Sequence, residues 1–265
     1  MWQNRYVQDV MIQLFRKLRR NLLSEGKTGQ YLKYALGEIA LVVIGILIAL
    51  QINNWNESIK DNNALNEYLG KIRSHTGEDL HQLDTITKYR SQMANVCKMA
   101  RTRILDKTED EDLLLLMSCG VAFADYYFKA NTGGYDALRN SRYYGKINTT
   151  PLDSLLTKYH SLVEEIAENE KSYNDYVLNQ EAYLSTHFDT SLILASAFLP
   201  PDSLALRATP QSEYYEVFAA YTATPSYRNV IGLAAFQFET MVNQYKQLKN
   251  VGENVVNEID AITND

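Results

Sequence analysis

The most regular alternation of apolar and polar positions lies toward the C-terminal end of the chain. Ile231, Ala234, Phe238, Met241, Tyr245, Leu248, Gly252, Val255, Ile259 and Ile262 recur every three or four residues, the repeat that keeps one face of an α-helix apolar. This predicts one long helix. Pro225, behind Thr222 and Thr224, marks its first turn, where a missing amide proton costs nothing. A second stripe (Leu152, Leu155, Tyr159, Leu162, Ile166, Tyr173, Val177, Leu184) opens at Pro151, where Thr150 and Asp153 have the spacing of a capping box. A third runs through Leu65, Leu69, Ile72, Leu80, Leu83, Ile86, Met93, Cys97, Ala100 and Ile104, and its register slips at Gly77, which predicts a kink. Residues 112–128 are strongly apolar and read as a further buried helix, too short between Asp112 and Asp125 to cross a bilayer. Residues 187–211, with Pro200, Pro201 and Pro210, predict the longest irregular stretch. No strand-like alternation is sustained, so the body, residues 57–265, is expected to be one all-α bundle of long helices.

Ahead of this body the pattern changes. Residues 39–50 (IALVVIGILIAL) are apolar without a break. With their flanks they extend from Tyr34 to Trp55, a separation of about 31 Å along a helix, which matches a hydrocarbon core of about 30 Å. Aromatic residues at those two positions fit the interfacial belts of a membrane span. Residues 34–56 are therefore expected to be a transmembrane anchor.

Charge adds a direction. Residues 1–33 carry seven basic and two acidic residues, whereas residues from 58 onward carry 19 basic and 28 acidic ones. A basic head, an uncharged stretch and an acidic body predict a cytoplasmic N-terminus and a periplasmic body. Because the head abuts an apolar run, its charge points to anionic headgroups and not to nucleic acid. Leu14, Phe15, Leu18, Leu22 and Leu23 interleave with Arg16, Lys17, Arg19 and Arg20, the pattern of an amphipathic helix lying on a membrane surface. The long head and the absence of a small-residue cleavage site after Leu50 favour an uncleaved signal anchor over a signal peptide.

The segments FRKLRRNLLSEGK (15–27) and YALGEIALVVIGILIALQINNWNE (34–57) resemble the opening of a family of uncharacterised single-pass inner-membrane proteins of Bacteroidota. The likeness includes the polar positions Glu38, Gln51, Asn53 and Asn54, and continues more loosely through YDALRNS (135–141). It implies an inner-membrane location and a helical periplasmic domain, and it implies no activity.

Candidate chemistry is sparse. His75, Glu78, Asp79 and His81 stand close together, but His81 leaves the face shared by the others and no second ligand cluster supports a metal, so a solvated helix face is expected. His160 and His187 are solitary, and NTGG (131–134) lacks the Lys and Ser/Thr of a phosphate loop. The 19 tyrosines read as packing groups more readily than as a ligand groove. No cofactor motif is found.

The favoured function is a non-enzymatic, membrane-anchored interaction or assembly module with an unidentified protein partner. The alternative is an enzyme or ligand-binding sensor whose site is assembled from scattered residues of the bundle. Two specific expectations accompany it. Cys97 and Cys119, the only cysteines, would face each other if residues 93–103 and 112–128 formed a hairpin turning near residue 108, which would permit a disulfide or two buried thiols. Glu38 shares a helical face with Val42, Gly45 and Ala49, a surface that would let the anchor form a homo-oligomer.

Overall fold

Tracing the helices from their capping residues gives an all-α architecture in which no strand occurs among the described residues. The structure, a computed structural model, describes residues 16, 28–106, 113–198 and 210–264. The expected amphipathic head lies almost wholly outside them. The elements are α1 (Thr28–Asp106), α2 (Leu113–Ser118), a 3-10 turn (Cys119–Phe123), α3 (Gly133–Arg139), a second 3-10 turn (Tyr144–Lys146), α4 (Pro151–His187), α5 (Ser191–Phe198), α6 (Gln211–Thr222) and α7 (Pro225–Asn264).

The start signals read from sequence are made as hydrogen bonds. Thr150 is extended, and its Oγ1 accepts from the Asp153 amide at 3.4 Å. The Asp153 carboxylate reaches back to accept from the Thr149 amide and the Tyr144 hydroxyl. This anchoring accompanies the positive φ of Thr149, 66°, a conformation a β-branched residue adopts only under such constraint. At α7, Thr224 Oγ1 accepts from the Tyr227 amide, satisfying one of the orphan donors of a first helical turn.

The chain divides into two units, residues 1–64 and 65–265. In the second, three long helices share the core. Ion pairs Arg73–Asp260, Asp84–Lys249 and Lys98–Glu239 step down α7 as they step up α1, so these two helices run antiparallel. Contacts Glu165–Gln244 and Tyr173–Phe238 give the same sense between α4 and α7. Such exposed ion pairs contribute roughly 0.2–1 kcal/mol each and report register more than stability. The apolar seam drives the association: Ile231, Ala234, Phe238, Met241, Tyr245, Leu248, Val255 and Ile259 are buried as the spacing predicts, while Ile262 is exposed.

Three expectations are corrected. Helix α1 continues unbroken through Gly77. Its buried positions are Leu69, Ile72, Thr76, Asp79, Leu83, Ile86, Arg90, Ala94, Cys97 and Ala100, so the seam keeps its register once polar residues are allowed onto it. The expected helix over 112–128 stops at Ser118, gives way to the 3-10 turn, and is followed by an irregular stretch. The expected irregular stretch 187–211 contains helix α5, and residues 199–209 lie outside the described ones.

Candidate functional site

The most heavily bonded polar region of the body is the meeting of residues 125–134 with α1 and α4. A stretch without regular structure exposes every backbone amide and carbonyl, and each must find a partner once buried. Here the partners are side chains of one face of α1. Arg90 Nη2 donates to the Tyr126 carbonyl at 2.7 Å, Gln82 Oε1 accepts from the Lys129 amide at 2.9 Å, Asp79 Oδ1 accepts from the Asn131 amide at 2.9 Å, and His75 Nδ1 accepts from the Gly134 amide at 3.0 Å. The fit is metric. Eleven helical residues from 79 to 90 rise about 16 Å, and five residues from 126 to 131 cover about 16 Å when extended. The stretch thus runs antiparallel to α1 like a strand bonded to a helix.

Helix α4 closes the other side. Both oxygens of Glu170 accept from the Phe128 amide, and Oε1 also accepts from the Tyr245 hydroxyl of α7. The second oxygen of Asp79 accepts from the Tyr159 hydroxyl at 2.8 Å. Burial pushes both carboxyls above their ordinary range. The amide and tyrosine donors oppose that push at each, with the Arg90 charge also doing so at Glu170. Arg90 is 1% exposed, and its guanidinium lies 4.4 Å from the Phe238 ring centre. Cation–π attraction and the nearby Glu170 charge offset part of its desolvation.

Gly134 makes the closest approach possible. A Cβ there would stand 3.0 Å from the Ile72 amide nitrogen and 3.1 Å from His75 Nδ1. Beside it Tyr135 stacks on His160 at 3.9 Å, and burial lowers the proton affinity of that imidazole.

This geometry revises the reading of the His75–His81 cluster. Asp79 is buried and His75 is half-buried against Gly134, whereas Glu78, which bonds Asn131, and His81 are exposed, so the face is solvated only in part. No group of three potential metal ligands is found among the described residues. His187 stacks on Tyr183. A shallow cleft of about 430 Å³ between α4 and α7 is lined by Ser172, Tyr173, Tyr176, Asn229, Leu233 and Gln237. Arg90, Gln82 and Glu170 were not singled out from sequence. Their signal was a charged or amide residue falling on or beside an otherwise apolar seam.

Both cysteines are fully buried free thiols, and the Cys119 thiol donates to the Leu115 carbonyl at 3.4 Å. The turn expected near residue 108 lies outside the described residues. In the first unit, Tyr34, Glu38, Val42, Gly45, Ala49 and Trp55 all lie on α1, and Val42, Gly45 and Ala49 fall within the apolar run; each is exposed. Among the described residues α1 is the one helix long and apolar enough to cross a membrane, and none of its most apolar window is buried.

No curated protein and no solved structure matches the chain. A family model, described as a family of unknown function, matches residues 38–197, from the apolar run of α1 through the Asn131–Gly134 contacts and the whole of α4. The chain belongs to that family, DUF6090.

Proposed function

We propose that this protein is a non-enzymatic interaction module tethered to the inner membrane, crossing it once through residues 34–56 with the N-terminus cytoplasmic and the body periplasmic. The observation that supports the reading is the apolar surface of α1. Leu36, Ile39, Leu41, Val42, Val43, Ile44, Ile46, Leu47, Ile48, Leu50 and Ile52 are each roughly half exposed or more. They surround the helix on every side, so a single packed neighbour would cover only part of them. Full burial of one such side chain is worth about 1.5–3 kcal/mol, and a bilayer supplies that burial all round. The basic head then rests on anionic headgroups, and the anchor pairs with a second copy through Glu38, Val42, Gly45 and Ala49.

The polar groups of the body support a scaffolding role. His75, Asp79, Gln82, Arg90 and Glu170 direct their bonds onto backbone or tyrosine groups of the same chain, so they fix a rigid surface for a protein partner. A ligand-binding reading rests on the cleft at Tyr176 and Asn229.

The test has two parts. A reporter active only in the periplasm, fused after Asp265, is expected to be on; an inactive reporter alongside an active cytoplasmic one at the same point overturns the orientation. Purification from gently solubilised membranes is expected to retain a protein in fixed ratio to the chain. Recovery of a small molecule in place of a protein, lost on substitution of Asn229, favours the ligand-binding reading.

A further inference from the structure

Helix α7 carries a second regular stripe besides its core seam. Asn229, Leu233, Phe236, Thr240, Asn243 and Gln247 recur with alternating steps of four and three residues, so they share one face of the helix. Each is exposed or half-buried, Phe236 at 64%. Helix α4 carries a matching stripe of Asn169, Ser172, Tyr176, Asn179 and Tyr183, again exposed or half-buried, Tyr183 at 52%. Ser172 and Tyr176 line the shallow cleft together with Asn229 and Leu233, so the two stripes flank one groove and form one surface.

Neither stripe holds a charge. The charged residues of these two helix segments are engaged elsewhere: Glu239 pairs with Lys98 of α1, Lys171 pairs with Asp175, Glu170 is buried, and Lys246 and Glu181 fall between stripe positions. Glu165, one turn before the α4 stripe, is bonded to Gln244. In a body with 28 acidic residues against 19 basic from residue 58 onward, such a face stands apart. Two copies of an acidic body repel one another, and they approach most closely where charge is absent. Charge also selects its partner. A charged face demands the opposite sign, whereas amides and hydroxyls both donate and accept and are complementary to themselves, which is what a twofold interface requires. Depletion of charge around exposed aromatic rings is the composition of an interface core. The size is sufficient. Residues 229 to 247 rise about 27 Å and two adjacent helices are about 20 Å wide, so each copy offers roughly 500 Å² and a pair buries roughly 1,000 Å², the lower bound of a specific interface.

We propose that this face is the docking surface for a second copy of the chain, with α4 and α7 of one protomer packed against α4 and α7 of its partner. Phe236 and Thr240, near the middle of the α7 stripe, then lie near the twofold axis and close to their own counterparts. This pairing of the body is separate from that of the anchor and holds without it.

The experiment uses two full-length copies with different affinity tags, expressed together and solubilised in a gentle detergent. Both carry Gly45→Leu and Ala49→Leu, which remove the close approach of two anchors, so that co-purification of the tags reports on the body alone. Co-purification is expected in this starting pair. Phe236→Glu with Thr240→Glu in both copies is expected to lower it about tenfold or more, because like charges then meet across the axis. Phe236→Lys with Thr240→Lys in both copies is expected to do the same. One copy of each kind is expected to restore it to within about twofold of the starting level, which also shows that each variant is folded. No co-purification in the starting pair overturns the proposal, as does pairing that survives both like-charge sets, or a loss that the mixed pair does not restore. Recovery of a different protein on this face, displaced by either charge, makes that protein the occupant and overturns the proposal as well.

Discussion

Removing the charge of Glu170 tests whether the buried polar network holds the three helices together. In Glu170→Gln the shape is kept, but the side chain carries one acceptor and one donor group where the carboxylate offered two acceptors. The Phe128 amide and the Tyr245 hydroxyl both donate to it, so one of them meets an N–H. A hydrogen bond to a charged group is worth about 1.5–3 kcal/mol, and both donors lose their charged acceptor while Arg90 loses a nearby negative charge. The contributions overlap, because both donors share one carboxylate, so the expected loss is about 4 kcal/mol in total. In a body of about 200 residues that lowers the unfolding midpoint by roughly 8–16 °C. Tyrosine near-UV circular dichroism is the suitable assay, since both tryptophans, Trp2 and Trp55, lie outside the 65–265 unit. The companion variant Arg90→Met, Glu170→Met removes both charges, and is expected to recover at least half of the loss. A single variant within 1 kcal/mol of the wild type, or a double variant whose cost equals the two single costs added, would refute the idea that the pair is coupled.

Three further outcomes are expected. Gly134→Ala meets the backbone of Ile72 and is expected to cost about 1–3 kcal/mol by overpacking, measured by urea denaturation. Gly252→Ala meets side-chain atoms of Leu80, Tyr159 and Thr76 and no backbone, and the gain of about 1 kcal/mol in helix propensity should make it the cheaper of the two; equal costs at the two glycines would show that backbone contact is not what matters. Burial lowers the affinity of His160 for a proton below that of an ordinary imidazole, whose pKa is about 6.5, so the unfolded chain takes up the proton first. Its contribution to stability is therefore complete above pH 6.5 and lost as pH falls below that value. The difference between wild type and His160→Gln should shrink from pH 7.5 to pH 5 in paired urea titrations, a comparison that cancels the opposite trend from the raised carboxyls of Asp79 and Glu170; a constant difference contradicts the assignment. Single cysteines at positions 36–52, in a background lacking Cys97 and Cys119, should crosslink most at 38, 42, 45 and 49 in native membranes, and crosslinking that is uniform along the helix removes the proposed anchor pairing.

The sequence by itself determined the long helices, because their signals are local. The 3.6-residue repeat of α7, the Thr150–Asp153 cap and the proline at each start all act within a few residues of themselves, and the fold follows them. The unbroken apolar run at residues 39–50 is local in the same way, since the exposure of a single helix is set by its own side chains. What only the tertiary structure decided is where polar groups meet across long separations. Asp79 and Arg90 look like interruptions of an apolar seam until residues 126–131 are laid against them. The register slip read at Gly77 came from the same source: Thr76 and Asp79 were excluded from the seam for being polar, and they are buried because Tyr159 and Asn131 satisfy Asp79 there. Residues 124–132 leave the helix for a reason no local window contains. Their backbone amides at 128, 129 and 131 are taken up by Glu170, Gln82 and Asp79, 42 to 52 residues away in the chain. A buried hydrogen bond outweighs helical propensity, which amounts to a few tenths of a kcal/mol per residue, only when both partners are already in place.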